Sequence, residues 1–595
     1  MSKCIAVALV LMVITIQANI QDSLLTNVPD INIPQTNAVV CSSVDDLLQA
    51  HSEMLAGNTR NIVLTDGTYD LTTRSGFDLG LRIAADGSSI TSQSRDPEKV
   101  TIISKGFTST DLEDEAVKIE AGNITLAYIT IKDVRANGLK IQETTRNVMV
   151  HNVYFVDICE RGIKVPLDVT ATDVTVQYCL FEQITSMSEV PNPQMNGDYI
   201  AGMDIMKARN WRVHHNVFKN IQGTNGAARG GVFYWRDCQN MVTENNLFIN
   251  CDRALSYGNT AGDNNVNGGI IRNNYIIKGV ESAFEIIACS DVKVYNNSVY
   301  SPDFPSLSVK LESNGSGNEI KNNILMGSTA LRSGTMPDTA SNLIVWSQSG
   351  YKDFSAYDLR LSSTATAAID AGLNLAEVQY DFSGNPRDEY TDIGAAEYEY
   401  EAPEIISLSI VRGGRQVDFM WESTVPARPE IRYGMGFAIT DTISSTDDFA
   451  LSGTFSVTGL NEGYRYNWEF LLKESHGAAS AVFDTSFSML AEYSIEDPED
   501  DTQLFVPGIT VSPNPFNPTT VITVSGIPAG DLSGIHIYDS HGRIAAEPHI
   551  AAQTRGAGPQ MQYRWDASGM PAGIYTIVAK TAPGRSLTKK LVLVK

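Results

Sequence analysis

Apolar and polar residues recur in a fixed order between residues 123 and 325. Eight stretches fit the order Asn-apolar-x-apolar-x-Asn-Asn-x-apolar, and the clearest copies begin at Asn240, Gly268 and Asp291. The sixth position of successive copies returns every 23–37 residues, at Ile129, Val153, Cys179, Asn216, Asn246, Asn274, Asn297 and Asn323. A short strand that returns at this period, with Asn at a fixed bend, predicts coils stacked on one another.

A second strand pattern occurs once in each coil, at 138–142, 162–166, 202–206, 231–235, 254–258, 283–287 and 308–312. Every other residue is apolar or aromatic, which is the period of a strand with one buried face. The predicted inward residues are Leu139, Ile141, Ile163, Val165, Met203, Ile205, Val232, Tyr234, Leu255, Tyr257, Phe284, Ile286, Val309 and Leu311. No helical pattern separates the strands. We therefore predict an all-β chain whose residues 41–400 form a right-handed parallel β-helix.

The Asn column has a structural explanation. A side-chain amide at a buried corner can bond the amides above and below it and satisfy backbone groups there. The end of the stack needs a cover, because an open coil exposes a sheet edge. Residues 43–55 have helical periodicity, with Leu47 and His51 on one face, and we expect them to cap the first coil. Residues 19–40 are expected to be an extended leader.

Charge and the N-terminus limit the function classes. The net charge is −25, which disfavours nucleic-acid binding because that needs a basic surface. Residues 1–18 are typical of a signal peptide, with Lys3, an apolar run from Ile5 to Ile16, and Ala18 at a cleavage position. The run is too short to span a bilayer, and no later stretch is long enough. We predict a monomer without a transmembrane segment, secreted or attached to the cell surface.

The cysteines predict buried thiols. Cys159 and Cys251 occupy equivalent positions three coils apart, roughly 14 Å at about 4.8 Å per coil, which is too far for a disulfide. Cys179 falls in the Asn column. The spacings contain no zinc-binding pattern.

Three parts of the chain from residue 381 onward resemble known motifs or modules. Residues 381–387 (Asp-Phe-Ser-Gly-Asn-Pro-Arg) and 392–398 (Asp-Ile-Gly-Ala-Ala-Glu-Tyr) resemble the closing motif of many secreted bacterial β-helix proteins of the pectate-lyase-like superfamily. Residues 402–490 alternate as in a β-sandwich and resemble a fibronectin type III domain. An acidic linker, 491–504, follows.

The last segment, residues 505–595, contains Ser-Pro-Asn-Pro-Phe-Asn-Pro-Thr at 512–519 and ends in Lys-Lys-Leu-Val-Leu-Val-Lys. It resembles the C-terminal sorting domain of the type IX secretion pathway. The resemblance implies a small β-sandwich and export through that machinery.

Candidate chemistry lies at the outward corner that follows the second strand. Lys207 and Arg236 occupy the same place on adjacent coils, so their Cα atoms are expected about 5 Å apart. Two cations this close repel each other, which favours a neutral lysine that can accept a proton.

The pair resembles the catalytic Lys and Arg of the chondroitinase-B and alginate-lyase family of β-helix polysaccharide lyases. Lys207 precedes an Asn-Val-Phe at 216–218 and Arg236 an Asn-Leu-Phe at 246–248, at the family's interval. The resemblance implies β-elimination, with Lys207 abstracting the proton beside a uronate carboxylate and Arg236 assisting the leaving oxygen. The chain departs from the family where Arg236 is followed by Asp-Cys rather than His-Gly, and Lys207 by Ala.

The same resemblance implies Ca²⁺ that neutralises the substrate carboxylate, bound by oxygens such as those of Asp204, Asp198 or Asn196. The outward residues Phe233, Trp235 and Asp204 are the predicted substrate contacts, since outward aromatics can stack on sugar rings. The longest insertion, 185–199, is expected to wall this groove.

Two functions therefore stand side by side. The first is a lyase acting on an extracellular uronate-containing polysaccharide through Lys207 and Arg236. The second is a non-catalytic surface protein that binds or adheres to glycans, in which these residues are surface charges.

Overall fold

The computed structural model describes residues 18–33, 36–73, 80–261, 265–301, 307–312, 315–346, 350–436, 438–489, 504–505, 508–514, 516–525, 527, 532–539, 543–554, 560–581 and 586–594. The chain divides after Tyr398 into two compact units. Residues 1–17 of the predicted signal peptide and residues 491–503 of the predicted linker lie outside the described residues. No helix in the described ranges is long and apolar enough to cross a membrane.

Three parallel sheets form the first unit, and each coil adds one strand to each sheet. Sheet A contains Ala38–Cys41, Asn61–Leu64, Ser89–Ser92, Ile124–Ala127, Thr145–His151, Ala171–Gln177, Ala208–Arg209, Arg212–His214, Cys238–Glu244, Val266–Arg272, Cys289–Tyr295, Glu319–Lys321 and Asp338–Ala340. Sheet B contains Gly67–Asp70, Val100–Ile103, Thr130–Val134, Tyr154–Ile158, Leu180–Glu182, Val217–Lys219, Leu247–Cys251, Tyr275–Lys278, Ser298–Tyr300, Ile324–Met326 and Leu343–Val345. Sheet C contains Leu81–Ile83, Glu115–Ile119, Asn137–Ile141, Arg161–Val165, Ala201–Ile205, Gly230–Tyr234, Leu255–Tyr257, Phe284–Ile287, Leu307–Glu312 and Ser328–Leu331. The predicted parallel coil stack is confirmed.

The interior of the solenoid is a stack of apolar side chains. Every predicted inward residue of sheet C is buried, from Leu139 to Leu311. Four rings from sheet B, Phe155, Phe181, Phe218 and Phe248, stack face to face with centroids 4.6–4.8 Å apart. That separation equals the coil spacing, so equivalent residues of successive coils pack directly on one another.

The Asn column is a continuous hydrogen-bonded ladder between sheets A and B. Each side chain from Asn216 to Asn323 donates from Nδ2 to the Oδ1 of the next, at 2.9–3.0 Å. Cys179 begins the ladder by donating its backbone N–H to Asn216 Oδ1. Asn342, which the repeat pattern did not include, ends it.

The first coil is covered by the helix Val44–Leu55, as predicted. The Ser43 hydroxyl caps the helix by accepting the N–H of Asp46 at 3.1 Å, and Leu47 and His51 are buried beneath it. The leader differs from the extended segment that was predicted. Ala18–Thr26 is a helix, because its apolar residues fall on one side. Ile20, Leu24 and Leu25 pack there against the apolar outer face of sheet B.

The closing motif also lies on sheet B. Phe382 stacks on Tyr275 with ring centroids 3.9 Å apart, and its backbone N–H donates to the carbonyl of Ala395, which joins the two halves of the motif. Arg387 donates to Asn273 Oδ1 at 3.1 Å and to the carbonyl of Gly394 at 2.9 Å. The hairpin Tyr351–Asp353 and Asp358–Leu361 precedes it. Short 3₁₀ turns occur at Pro97–Lys99, Met187–Glu189, Gln194–Gly197 and Phe354–Ala356.

The second unit, 399–595, is built from antiparallel sheets. Its first part contains Ile405–Arg412, Gln416–Met435, Asp441–Ser444, Ala450–Thr458, Arg465–Lys473, Phe483–Ser488 and Leu504–Phe505. One four-stranded sheet then contains Gly508–Ser512, Thr519–Ser525, His549–Thr554 and Gln560–Asp566, and another contains Leu532–Tyr538, Ile544–Ala546, Gly573–Thr581 and Ser586–Leu593. Each part has its own apolar core.

The cysteines of the described ranges are buried and form no disulfides, as predicted: Cys41, Cys159, Cys179, Cys238, Cys251 and Cys289. Burial raises the pKa of the Cys179 thiol to about 12, so it is a packing group rather than a nucleophile.

Candidate functional site

The outer face of sheet C carries a file of mostly charged residues, with one aromatic ring. The strand register aligns one outward residue from each coil in a single file: Arg82, Lys118, Lys140, Lys164, Asp204, Phe233, Ser256, Glu285 and Lys310. Cations occupy its first four positions and Lys310 its ninth, the positions between hold two acids, an aromatic ring and a hydroxyl, and Ala330 follows Lys310. Sheet B presents an apolar outer face, and the outer face of sheet A has charges that are paired with one another, such as Arg212 and Arg272 with Glu244. Sheet C is the face that holds the Lys207–Arg236 corner and a cavity, so it is the candidate binding face.

Lys207 and Arg236 lie on neighbouring coils, as the register requires. The backbone N–H of Lys207 donates to the carbonyl of Arg236 at 3.0 Å. Both residues have φ of +50°, a left-handed conformation that turns the chain from sheet C toward sheet A and that bulky residues rarely adopt. Both side chains are half-buried.

The indole of Trp235 lies beneath the Arg236 guanidinium, whose carbon is 4.4 Å from the ring centroid. Nη2 of Arg236 donates a long hydrogen bond, 3.4 Å, to the carbonyl of Ala261. Trp235 is half-buried, but Phe233 is only 1% exposed. The two rings are nearly parallel, with centroids 5.9 Å apart. Phe233 is therefore enclosed, against the expectation that it is open to substrate, and contact of Trp235 with substrate stays a prediction.

Asp204 is enclosed rather than open. Its carboxylate lies 2.6 Å from Lys164 Nζ and 3.4 Å from Arg161 Nε, and the residue has no exposed surface. The Arg161 guanidinium in turn covers the ring of Tyr199 at 3.8 Å. Burial lowers the pKa of Lys164, while the charge of Asp204 opposes that shift. The prediction that Asp204 contacts substrate is wrong, because two cations and a tyrosine surround it.

The other predicted calcium ligands have separate roles. Asp198 accepts the backbone N–H and the Nδ2 of Asn225 at 2.9 and 2.8 Å, and Asn196 is exposed at a left-handed turn position. No group of three His, Cys, Asp or Glu side chains within the described ranges is arranged to hold a metal ion. With Lys164 and Arg161 already on Asp204, these residues do not fit a Ca²⁺ site, and we derive no chemistry through one.

The insertion 185–199 reaches the edge of sheet C, where the Tyr199 ring packs on Arg161. Asp157 fixes its start by accepting the N–H groups of Ile184 and Thr185, both at 2.7 Å. At its other end Met195 Sδ lies 3.5 Å from Arg229 Nη2, and the Tyr199 ring centroid lies 5.7 Å from the Arg229 guanidinium carbon.

A cavity of about 100 Å³ opens on the same face. Its main lining side chains are Arg229, Arg253, Lys310, Glu285, Phe233 and Ser256. Asn259 borders it and follows Arg236 in the corner file. Because Phe233 also lines it and lies on the coil of Arg236, the cavity adjoins the Lys207–Arg236 pair.

Sequence reasoning missed the cations of this cavity, although one signal was available. Arg161 and Arg253 follow equivalent cysteines, in Cys-Glu-Arg and Cys-Asp-Arg. In the structure each arginine reaches a carboxylate of the next coil, Arg161 to Asp204 and Arg253 to Glu285. The repeated arginine therefore marked the outer face of sheet C.

No protein-family model matches the sequence, and no curated protein matches it. Solved structures with a similar chain path include an alginate lyase from a Paenibacillus species (12% identity, 52% of this chain and 99% of that chain covered, TM-score 0.34). Others are the A-module of a mannuronan C-5 epimerase from Azotobacter vinelandii (12%, 52% and 97%, TM-score 0.28) and an α-1,3-glucanase catalytic unit from Streptomyces thermodiastaticus (10%, 49% and 70%, TM-score 0.25). At these identities and TM-scores the likenesses carry no argument about activity, which has to be inferred from the site.

Proposed function

We propose that the protein acts on an extracellular acidic polysaccharide held across the outer face of sheet C. The observation that carries this proposal is the placement of Lys207 and Arg236 on consecutive coils beside the half-buried indole of Trp235. An extended polymer fits a face built from repeated coils. Cations can pair with its carboxylates, and an indole can stack on a sugar ring.

The reaction that this pair suits is β-elimination. Lys207 acts as the base that takes the C5 proton beside the uronate carboxylate, the C4–C5 double bond forms, and the C4–O bond breaks. Arg236 donates a hydrogen bond to the departing oxygen, which takes its proton from water. Binding across several coils would hold the sugar against both side chains, and such positioning is a large part of catalysis.

The test is the ultraviolet absorbance of unsaturated products from alginate, chondroitin and pectate. Lys207→Ala should abolish product formation and leave polymer binding in place. Lys132→Ala is the matched control, since Lys132 is a half-buried lysine on sheet B. Product formation by Lys207→Ala at the wild-type rate would remove Lys207 from the mechanism.

A non-catalytic glycan-binding or adhesive protein is the second candidate. It is favoured by the position of the Arg236 guanidinium, which already lies on Trp235 and donates to the Ala261 carbonyl. In that case the wild-type protein binds an acidic polymer but releases no unsaturated product from any member of the panel.

The flanking segments support a role outside the cell. We propose that residues 1–18 are removed as a signal peptide and that residues 505–595 direct type IX export of a monomer. Residues 402–490 would form a fibronectin type III domain that acts as a spacer. Residues 41–400 would form a right-handed parallel β-helix of the pectate-lyase-like type. Deleting 505–595 should then retain the protein inside the producing cell, as measured by fractionation.

A further inference from the structure

We propose that the cavity lined by Arg229, Arg253 and Lys310 is a subsite for the carboxylate of an acidic sugar. This inference rests on the proposed function, because it places a second group of the same polymer beyond the Lys207–Arg236 pair. The cavity lining carries three cations and one carboxylate, that of Glu285, and the other acids near these cations, Glu281 and Glu312, lie outside the lining.

Arg229 is the principal anchor for that anion. No ion pair to Arg229 is found among the residues that the structure describes. Its contacts are instead the Met195 sulfur and the face of Tyr199, both from the insertion 185–199. An arginine fork held by such contacts keeps its donors for a planar carboxylate, which it can bind with two parallel hydrogen bonds.

Arg253 and Lys310 share one acid. Glu285 lies 3.0 Å from Arg253 and 3.1 Å from Lys310, so one negative charge serves two cations. The remaining pairs at the rim, with Glu281 and Glu312, are both 3.6 Å long and involve partly exposed carboxylates. Pairs of this kind contribute little in water, and a ligand carboxylate can replace them.

Ser256 supplies an independent sign of a ligand. The residue is 1% exposed and lines the cavity, yet its hydroxyl has no hydrogen-bond partner within the described ranges. A buried hydroxyl is normally bonded. A sugar hydroxyl or carboxylate oxygen in the cavity would satisfy it.

The size of the cavity restricts what enters it. A volume of about 100 Å³ holds an anionic substituent and part of a sugar ring. The rest of the polymer would then continue across sheet C toward Trp235 and Lys207.

The test is equilibrium binding of the full chain to three probes: tetragalacturonate, its methyl ester and dextran sulfate. The wild type should bind the acid at least about tenfold more tightly than the ester, since a hydrogen bond to a charged group is worth that factor. Arg229→Gln should remove about the same factor for the acid alone. Arg146→Gln, at an exposed arginine on sheet A, is the control and should bind like the wild type.

Other outcomes are decisive in the opposite direction. Equal binding of acid and ester, wild-type affinity in Arg229→Gln, or no binding of tetragalacturonate would overturn the subsite. Preference for dextran sulfate that depends on Arg229 would replace the carboxylate by a sulfate ester. If tetragalacturonate binds through Arg229 but no uronate polymer is cleaved, the subsite stands and the lyase proposal falls.

Discussion

Replacing an asparagine in the middle of the Asn ladder should destabilise the solenoid far more than replacing the last asparagine of the ladder. Asn274 is fully buried, and its side chain makes five hydrogen bonds. Oδ1 accepts the N–H and Nδ2 of Asn246, and Nδ2 donates to the carbonyls of Thr243 and Arg272 and to Asn297 Oδ1, all at 2.9–3.0 Å. At about 1 kcal/mol for each bond, and less for those sharing an amide hydrogen, Asn274→Ala should cost about 4 kcal/mol.

The matched control is Asn342→Ala at the end of the same ladder. Asn342 is only half-buried and makes three side-chain bonds, which water can partly replace, so the expected cost is about 1–2 kcal/mol. Native-state hydrogen exchange of the coils from Cys238 to Val345, which contain both sites, measures the local opening free energy without assuming two-state unfolding. Equal losses in the two variants, or a loss below about 1 kcal/mol in Asn274→Ala, would refute this account of the ladder.

Two further predictions concern the binding face and the solenoid surface. Ser256→Ala should raise the opening free energy of its coil by about 1 kcal/mol, because it removes an unbonded buried hydroxyl. It should also weaken tetragalacturonate binding. A decrease in both the opening free energy and the affinity would mean that the Ser256 side chain only packs in the fold. Acid should destabilise the solenoid as the pH falls below about 6.5, because burial lowers the pKa of His151 and of His215 to about 4 each, so the unfolded chain takes up protons first. His151→Asn should reduce the slope of unfolding free energy against pH by up to about 1.4 kcal/mol per unit between pH 6.5 and 4, and an unchanged slope in urea titrations would contradict the assignment.

The coil stack was predictable because every coil repeats the same backbone conformation at the same place, and the residue types that this conformation requires repeat in the sequence. The first position of the repeat pattern is left-handed in every copy, with φ between +55° and +70°: Asn123, Asn147, Asp173, Asn210, Asn240, Gly268, Asp291 and Gly317. Asn, Asp and Gly tolerate that conformation better than other residues, so the sequence repeats them wherever the coil turns. The inward residues of sheet C were predictable from period-two alternation, because that alternation also repeats in every coil.

Features that do not repeat were beyond such reasoning. Arg229 comes from the segment between Lys219 and Gly230, which has no equivalent in other coils, and its neighbours Met195 and Tyr199 belong to an insertion. The outward position of Asp204 was correct, but its burial depends on Arg161 of the preceding coil and on Tyr199. Side chains that meet only through loops of irregular length leave no periodic signal in the sequence.

The most direct test of the central claim is a crystal structure of the protein with a bound uronate oligosaccharide. The account predicts a chain lying across the outer face of sheet C, with one carboxylate at Arg229 and an adjacent sugar within reach of Lys207 and Trp235. An oligosaccharide bound on sheet B or on residues 399–595, with the outer face of sheet C empty, would contradict it.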